Sequence, residues 1–275
     1  MTWDAIAKSL VKSLREVLDR ANVSAAEKLD DAFNVVAAYQ AARLKPLLVA
    51  RLGTTVQSGP FAGMRLLGRV SEGAYIPKLL GSYEAELHPF IEEVANAGYD
   101  AIINIGCAEG YYAVGLARRA NVRVYAFDID ERARQLCLDL AQLNDVRDRV
   151  CVGKVFHTND FARYAGQRIL ILCDIEGAEL SLLDPTACPV LRDMDLLIEI
   201  HRAAGKWTSD TLFPRFEESH IIAEIAQQPR DAAAHAALSG MSDADRFFAL
   251  LERVEPTRWA FLKAAKTRRT SRPTA

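Results

Sequence analysis

The chain has 275 residues, half of them hydrophobic and a quarter charged, which suits one medium-sized domain with an appendage or two small domains. A net charge of −2 excludes a general electrostatic attraction to nucleic acid or to an anionic membrane. Basic residues gather only at the end, at Lys263, Lys266, Arg268, Arg269 and Arg272, so positions 266–275 read as a flexible basic tail.

The first residues, Met1-Thr2-Trp3-Asp4-Ala5, lack the basic region and apolar run of a signal peptide. Ile6, Leu10, Leu14, Val17 and Leu18 recur at helical spacing and predict an amphipathic helix. A second helix is expected over Ser24 to Gln40, with Ser24 and Glu27 spaced as a capping box. Glycines and prolines punctuate 53–82, which predicts turns and a short hairpin forming a lid-like segment over a site. A helix from Tyr83 to Ala97, interrupted near Pro89, should follow.

From Tyr99 the texture alternates. Apolar runs of strand length occur at Ala101–Ile105, Val122–Phe127, Arg149–Val155, Ile169–Cys173, Leu196–Ile200, Ile221–Ala226 and Trp259–Leu262, with helical stretches between several of them. The clearest helices are Tyr111–Ala120, Glu131–Leu143 and Thr211–Glu218, and an alanine-rich one is expected from Asp231 to about Glu252. Apolar strands alternating with helices predict an α/β fold, a doubly wound Rossmann-like sheet covered on both faces. The expected division is a helical region with its lid-like segment at 1–82 and a catalytic domain at 83–265. No run is long and apolar enough to span a bilayer. The five cysteines (Cys107, Cys137, Cys151, Cys173, Cys188) are odd in number and show no C-x-x-C pair, which predicts reduced thiols and a cytoplasmic location.

Three strand ends carry the chemistry. The first runs into Gly106-Cys107-Ala108-Glu109-Gly110 and directly into a helix, whose free N–H groups and small residues admit a ligand closely. The second ends at Asp128-Ile129-Asp130, eighteen residues past Gly110, where a carboxylate can accept both hydroxyls of a ribose. The turn has no middle glycine of the dinucleotide pattern. The fourth strand ends in the acidic turn Asp174-Ile175-Glu176-Gly177-Ala178-Glu179, which would repel a diphosphate and tolerate a sulfonium. Together these favour S-adenosylmethionine over a nicotinamide dinucleotide.

Ile103-Asn104-Ile105-Gly106-Cys107-Ala108-Glu109-Gly110-Tyr111-Tyr112, Asp174-Ile175-Glu176-Gly177-Ala178-Glu179 and Ile198-Glu199-Ile200-His201 resemble the corresponding motifs of the FkbM-like branch of class I S-adenosylmethionine-dependent methyltransferases. The resemblance covers about 100–202 and implies a seven-stranded sheet of order 3-2-1-4-5-7-6 with the last strand antiparallel. It implies O-methylation of a hydroxyl on a saccharide or small natural product, leaving S-adenosylhomocysteine. It would place Gly106, Cys107, Ala108 and Gly110 along the methionine and ribose, Asp128 on the ribose hydroxyls and Ile129 on the adenine. Asn159 or Asp160 would serve the adenine amino group. Asn104 departs from the family, which commonly has an acid there, though an amide can still orient the amino-acid end of the donor.

For the reaction, His201, Glu199, Asp174 and Glu176 are expected at the strand ends over the donor sulfur, with His201 either the general base or a strand cap. A divalent metal on Asp174, Glu176 and Glu179 is not favoured, since clustered carboxylates more often cap helices and Glu179 is expected to point elsewhere. Of Tyr111 and Tyr112, one is expected over the donor and the other in the core. Tyr83 and Glu84, freed by Gly81-Ser82, rank above Glu86 and His88 as site residues, and Trp207 lines an acceptor pocket or packs. His157, His220 and His235 receive no role. The alternatives are a noncatalytic donor-binding module serving a partner enzyme, or a nucleic-acid or protein methyltransferase. The absence of a basic face and of an N/D-P-P turn after the fourth strand disfavours a nucleic-acid target. Partners expected are the small acceptor and a second copy docked through the N-terminal helices.

Overall fold

The structure, a computed structural model, describes residues 3–71, 74–203 and 205–265, so the basic tail expected at 266–275 lies outside the described residues. Helix α1 (Trp3–Leu18) and helix α2 (Ala25–Leu52) open the chain. The α2 N-terminus is a full capping box: the Ser24 hydroxyl accepts the Glu27 N–H at 3.2 Å and the Glu27 carboxylate accepts the Ser24 N–H at 2.9 Å. Such a cap contributes about 1 kcal/mol. The helix runs twelve residues beyond the expected Gln40, through Pro46. Leu44 and Leu48 are wholly buried on either side of that proline, and this packing outweighs the missing N–H.

The glycine-rich stretch forms the short hairpin foreseen, through a single bridge between Thr55 and Arg65. It is part of the core rather than a lid, because Val56, Phe61, Met64 and Leu66 are buried in the same cluster as Ile102 and Val124. Helix α3 (Tyr75–Leu80), unforeseen, has all six residues buried. The helix expected over Tyr83–Ala97 is instead a 3-10 turn, Ala85–Leu87, followed by α4 (His88–Asn96). Glu84, left-handed at φ 46°, breaks the earlier part.

The sheet contains β1 (Ala101–Ile105), β2 (Arg123–Phe127), β3 (Val150–Gly153), β4 (Ile169–Cys173) and β5 (Asp195–Ile200), with α5 (Tyr111–Arg119) and α6 (Glu131–Leu143) between the first three and α7 (Glu179–Leu182) after β4. A two-stranded hairpin of β6 (Arg202–Ala203) and β7 (Lys206–Trp207) then precedes α8 (Ser209–Phe216), β8 (His220–Ala226), α9 (Asp243–Leu250) and β9 (Arg258–Ala264). The order is β3-β2-β1-β4-β5-β9-β8, with β1 to β5 parallel and β9 antiparallel to both neighbours. Without the hairpin this is the expected 3-2-1-4-5-7-6 sheet.

Strands β1, β4 and β5 are buried at every position. Alternate side chains feed two cores: Ile102, Leu170 and Leu197 on one face with the N-terminal segments, Ile103, Ile171 and Ile198 on the other with Phe161 and Phe216. The alanine-rich stretch is two 3-10 turns, Ala232–Ala234 and Ala236–Leu238, and then α9. Gly240 at φ 75° and the Ser242 cap divide what alanine propensity alone would join. No helix among the described residues is long and apolar enough to cross a membrane.

Candidate active site

Parallel strands bring the ends of β1, β2, β4 and β5 to one edge of the sheet, and with them Gly106, Asp128, Asp174 and His201. Gly106 has φ 77°, and a Cβ there would stand 1.7 Å from the Asp174 carbonyl oxygen. At Gly110, φ 91°, a Cβ would meet the Cys137 sulfur at 2.6 Å. Both glycines are thus required by packing of the loop on β4 and α6. Between them Ala108, also left-handed at φ 47°, turns its N–H onto Asp128. The Asp128 carboxylate accepts that N–H at 2.9 Å and the Asp130 N–H at 2.8 Å, which fixes its orientation at the strand end.

Asp128 stands in the wall of a cavity of about 420 Å³ with Gly106, Ile129, Asp174 and Glu176 from the expected set. Its far side is Val155, Phe156, His157 and Thr158, from the loop after β3. Ile129 is 83% exposed, an apolar side chain held at the rim. His157, to which sequence reasoning gave no role, is therefore a wall residue. Asp160 is not: its carboxylate accepts the His157 N–H and pairs with Arg163 at 2.8 Å.

Asn104, Cys107, Gly110, Tyr83, Tyr111 and Tyr112 do not line this cavity. Asn104 is buried, donates to the Leu172 carbonyl at 3.5 Å, and keeps its side-chain oxygen without a partner. Tyr111 packs edge-on against Phe61 and Tyr83, with ring centroids at 5.3 and 5.5 Å. The Tyr112 hydroxyl donates to Glu84, so both tyrosines face the core side of the loop. Behind the loop, buried Glu109 accepts Lys78 at 2.5 Å and the Ser71 hydroxyl at 2.9 Å.

His201 sits among four carboxylates. Its Nδ1 is 3.1 Å from Glu179, and its Nε2 is 3.4, 3.6 and 3.7 Å from Asp174, Glu176 and Glu199. Glu179, expected to point away, points inward, because left-handed Glu176 and Gly177 fold the turn back and its carboxylate accepts the Ile175 N–H at 2.9 Å. Burial lowers the imidazole pKa, but the Glu179 hydrogen bond and the charges of Glu199, Glu179 and Asp174 override it and push it up to about 9. The ordinary value near 6.5, on which the choice of His201 as base rested, does not apply here. Asp174 is pushed well up by burial and by Glu199, with which it shares a hydrogen bond. Asp174, Glu179 and His201 each bring one ligating atom within 4.8 Å of the others, a spacing that would suit a cation.

Arg253, which sequence reasoning missed, ties this cluster to the N-terminal segment. It pairs with Glu199 and, at 2.6 Å, with Glu84. Burial raises Glu84 to about 7 against the opposing effects of Arg253 and Tyr112. Glu86 serves structure, paired with Arg230 at 2.7 Å, and the His88 Nε2 lies 3.3 Å from the Tyr83 carbonyl oxygen. Trp207 packs between the guanidinium groups of Arg202 and Arg258, 4.8 and 4.5 Å from its ring.

No family model matches this chain, and no curated protein does. Similar solved structures include human methyltransferase 10 domain containing protein (12% identity, 84% of this chain and 97% of that one, TM-score 0.47). Another is precorrin 8W decarboxylase of Methanobacterium thermoautotrophicum (16% identity, 64% and 89%, TM-score 0.43). A third is precorrin-6y C5,15-methyltransferase from Geobacter metallireducens (10% identity, 64% and 87%, TM-score 0.42).

Proposed function

We propose that this chain is an S-adenosylmethionine-dependent methyltransferase acting on a hydroxyl of a saccharide or small natural product. The observation that carries the reading is the braced Asp128 carboxylate in the wall of a 420 Å³ cavity at the carboxyl edge of the sheet. That volume suits a nucleoside-sized ligand, and exposed Ile129 supplies an apolar surface for a base beside the ribose-binding acid. Asp174 and Glu176 in the same wall suit a sulfonium and oppose a diphosphate.

The donor, when bound, supplies an electrophilic methyl group for in-line displacement. The chain's own residues orient it, exclude water and receive the hydroxyl proton. His201 is the proposed acceptor of that proton, with Asp174 and Glu199 in contact with its Nε2. Held at about 9, its basic form grows as pH rises toward that value. Tyr83, Tyr111 and Tyr112 support the loop and Glu84 from behind. No metal is assigned to this cluster.

Incubation with donor labelled in its methyl group and a panel of saccharides, phenols and aliphatic alcohols tests the reading. Label recovered as a methyl ether that survives dialysis of the enzyme against EDTA is expected. Label recovered only on nitrogen or carbon would overturn the hydroxyl assignment.

A further inference from the structure

A second and larger cavity, of about 660 Å³, opens at the same edge of the sheet. Strand β8 runs parallel to β5, since both pair antiparallel with β9, so the chain leaving β8 emerges where β5 delivers His201. The loop after β8 and helix α9 form the two sides of this space. Its lining includes Arg253, the residue that pairs with Glu199 and Glu84. A continuous series of contacts therefore joins the two cavities: Arg253 to Glu199, Glu199 to His201, and His201 to Asp174 in the donor wall.

The charges in the larger cavity are unequally committed. Arg253 is engaged by two carboxylates, and Arg230 is held by Glu86 and Glu252, each at 2.7 Å. Among the described residues Arg246 is less firmly held: its ion pair is a 3.7 Å contact with Asp243, whose side chain is fully exposed. The Arg246 side chain is 39% exposed and lines the cavity, so its guanidinium charge is open to an anion there. The same wall carries apolar surface in Phe247, 52% exposed, and Leu250.

We infer that this cavity is the acceptor pocket, and that it takes an acceptor with an apolar body and an anionic group, carboxylate or phosphate, bound by Arg246. The inference rests on the methyltransferase reading for the word acceptor, while the site and its charge preference stand on Arg246 and the cavity. An anion seated there places the body of the ligand along Phe247, in a cavity that Arg253 also lines. This narrows the proposed natural product to an acidic one.

Three ligands sharing one ring test it by NMR titration: benzoate, phenyl phosphate and benzylamine. Benzoate and phenyl phosphate are expected to bind, with contacts from their ring protons to the Phe247 ring, and benzylamine is not. Binding by only one of the two anions identifies which group the pocket takes. Arg246→Ala should weaken anion binding about tenfold or more while leaving S-adenosylhomocysteine affinity unchanged. Arg246→Lys should recover part of the loss. Equal or better binding of benzylamine, or unaltered anion affinity in Arg246→Ala, would overturn the assignment. Anion binding that behaves as expected in a protein that binds no S-adenosylhomocysteine would overturn the donor reading instead, so the two fail separately.

Discussion

Nδ1 of His201 lies 3.1 Å from Oε1 of Glu179, a carboxylate with no exposed surface. Three further carboxylates stand around the other ring nitrogen, so the imidazole is held by charge from both sides. The arrangement fixes the ring and raises its affinity for a proton together.

His201 should therefore titrate near 9 in an NMR experiment that follows its ring protons, and Glu179→Gln should lower that value. The stability consequence has a definite sign. A value raised above the ordinary 6.5 or so means that the folded state binds the proton more tightly. The gain is complete below the unfolded value and disappears as pH rises through about 9. His201→Gln should cost most in urea denaturation at pH 6 and little at pH 10. A cost that does not change with pH would contradict this.

Turnover should show the same group. With His201 as proton acceptor, methyl transfer to a hydroxyl should rise with pH toward an inflection near 9, and His201→Ala should lose turnover while retaining S-adenosylhomocysteine binding. A full rate in His201→Ala would remove it as the base.

Lys78 and Glu109 form a buried ion pair directly behind the first loop, each side chain 4% exposed. Removing Lys78 takes from the buried Glu109 carboxylate the cation that pairs with it. Lys78→Met should lower stability by about 3–5 kcal/mol, read as a fall in thermal midpoint. Adding Glu109→Gln should recover part of the loss, since the buried carboxylate that lost its cation is then removed as well.

Gly106→Ala places a methyl group 1.7 Å from the Asp174 carbonyl oxygen on a left-handed backbone. The conformation alone costs about 1–2 kcal/mol, and the clash with β4 adds to it. A lower thermal midpoint together with loss of donor binding is expected, because β1 and β4 must part at the donor cavity.

Much of this architecture is legible in the sequence because parallel strands buried on both faces leave unbroken apolar runs, as in Ile169–Cys173. The ends of those strands are then fixed, and Gly106, Asp128, Asp174 and His201 follow from them. Helix α3 is not legible, because its burial depends on Lys78 finding Glu109 thirty-one residues later. Arg253 lies in an irregular segment before β9 and belongs to no periodic pattern, so only the folded chain brings it to Glu84 and Glu199. Glu179 was misplaced because five residues of separation suggest a helix turning away, whereas the left-handed pair Glu176 and Gly177 reverses the turn. The glycines of the first loop were legible as necessary, but their packing against Asp174 and Cys137 is a tertiary reason that local sequence does not show.

The central claim is that Asp128 anchors a methyl donor, and calorimetric titration with S-adenosylhomocysteine tests it most directly. Wild-type protein should bind one equivalent. Asp128→Asn, which keeps an oxygen for the Ala108 N–H, should bind about a hundredfold more weakly with its thermal midpoint nearly unchanged. No binding by the wild type, or equal affinity in the variant, would contradict the account.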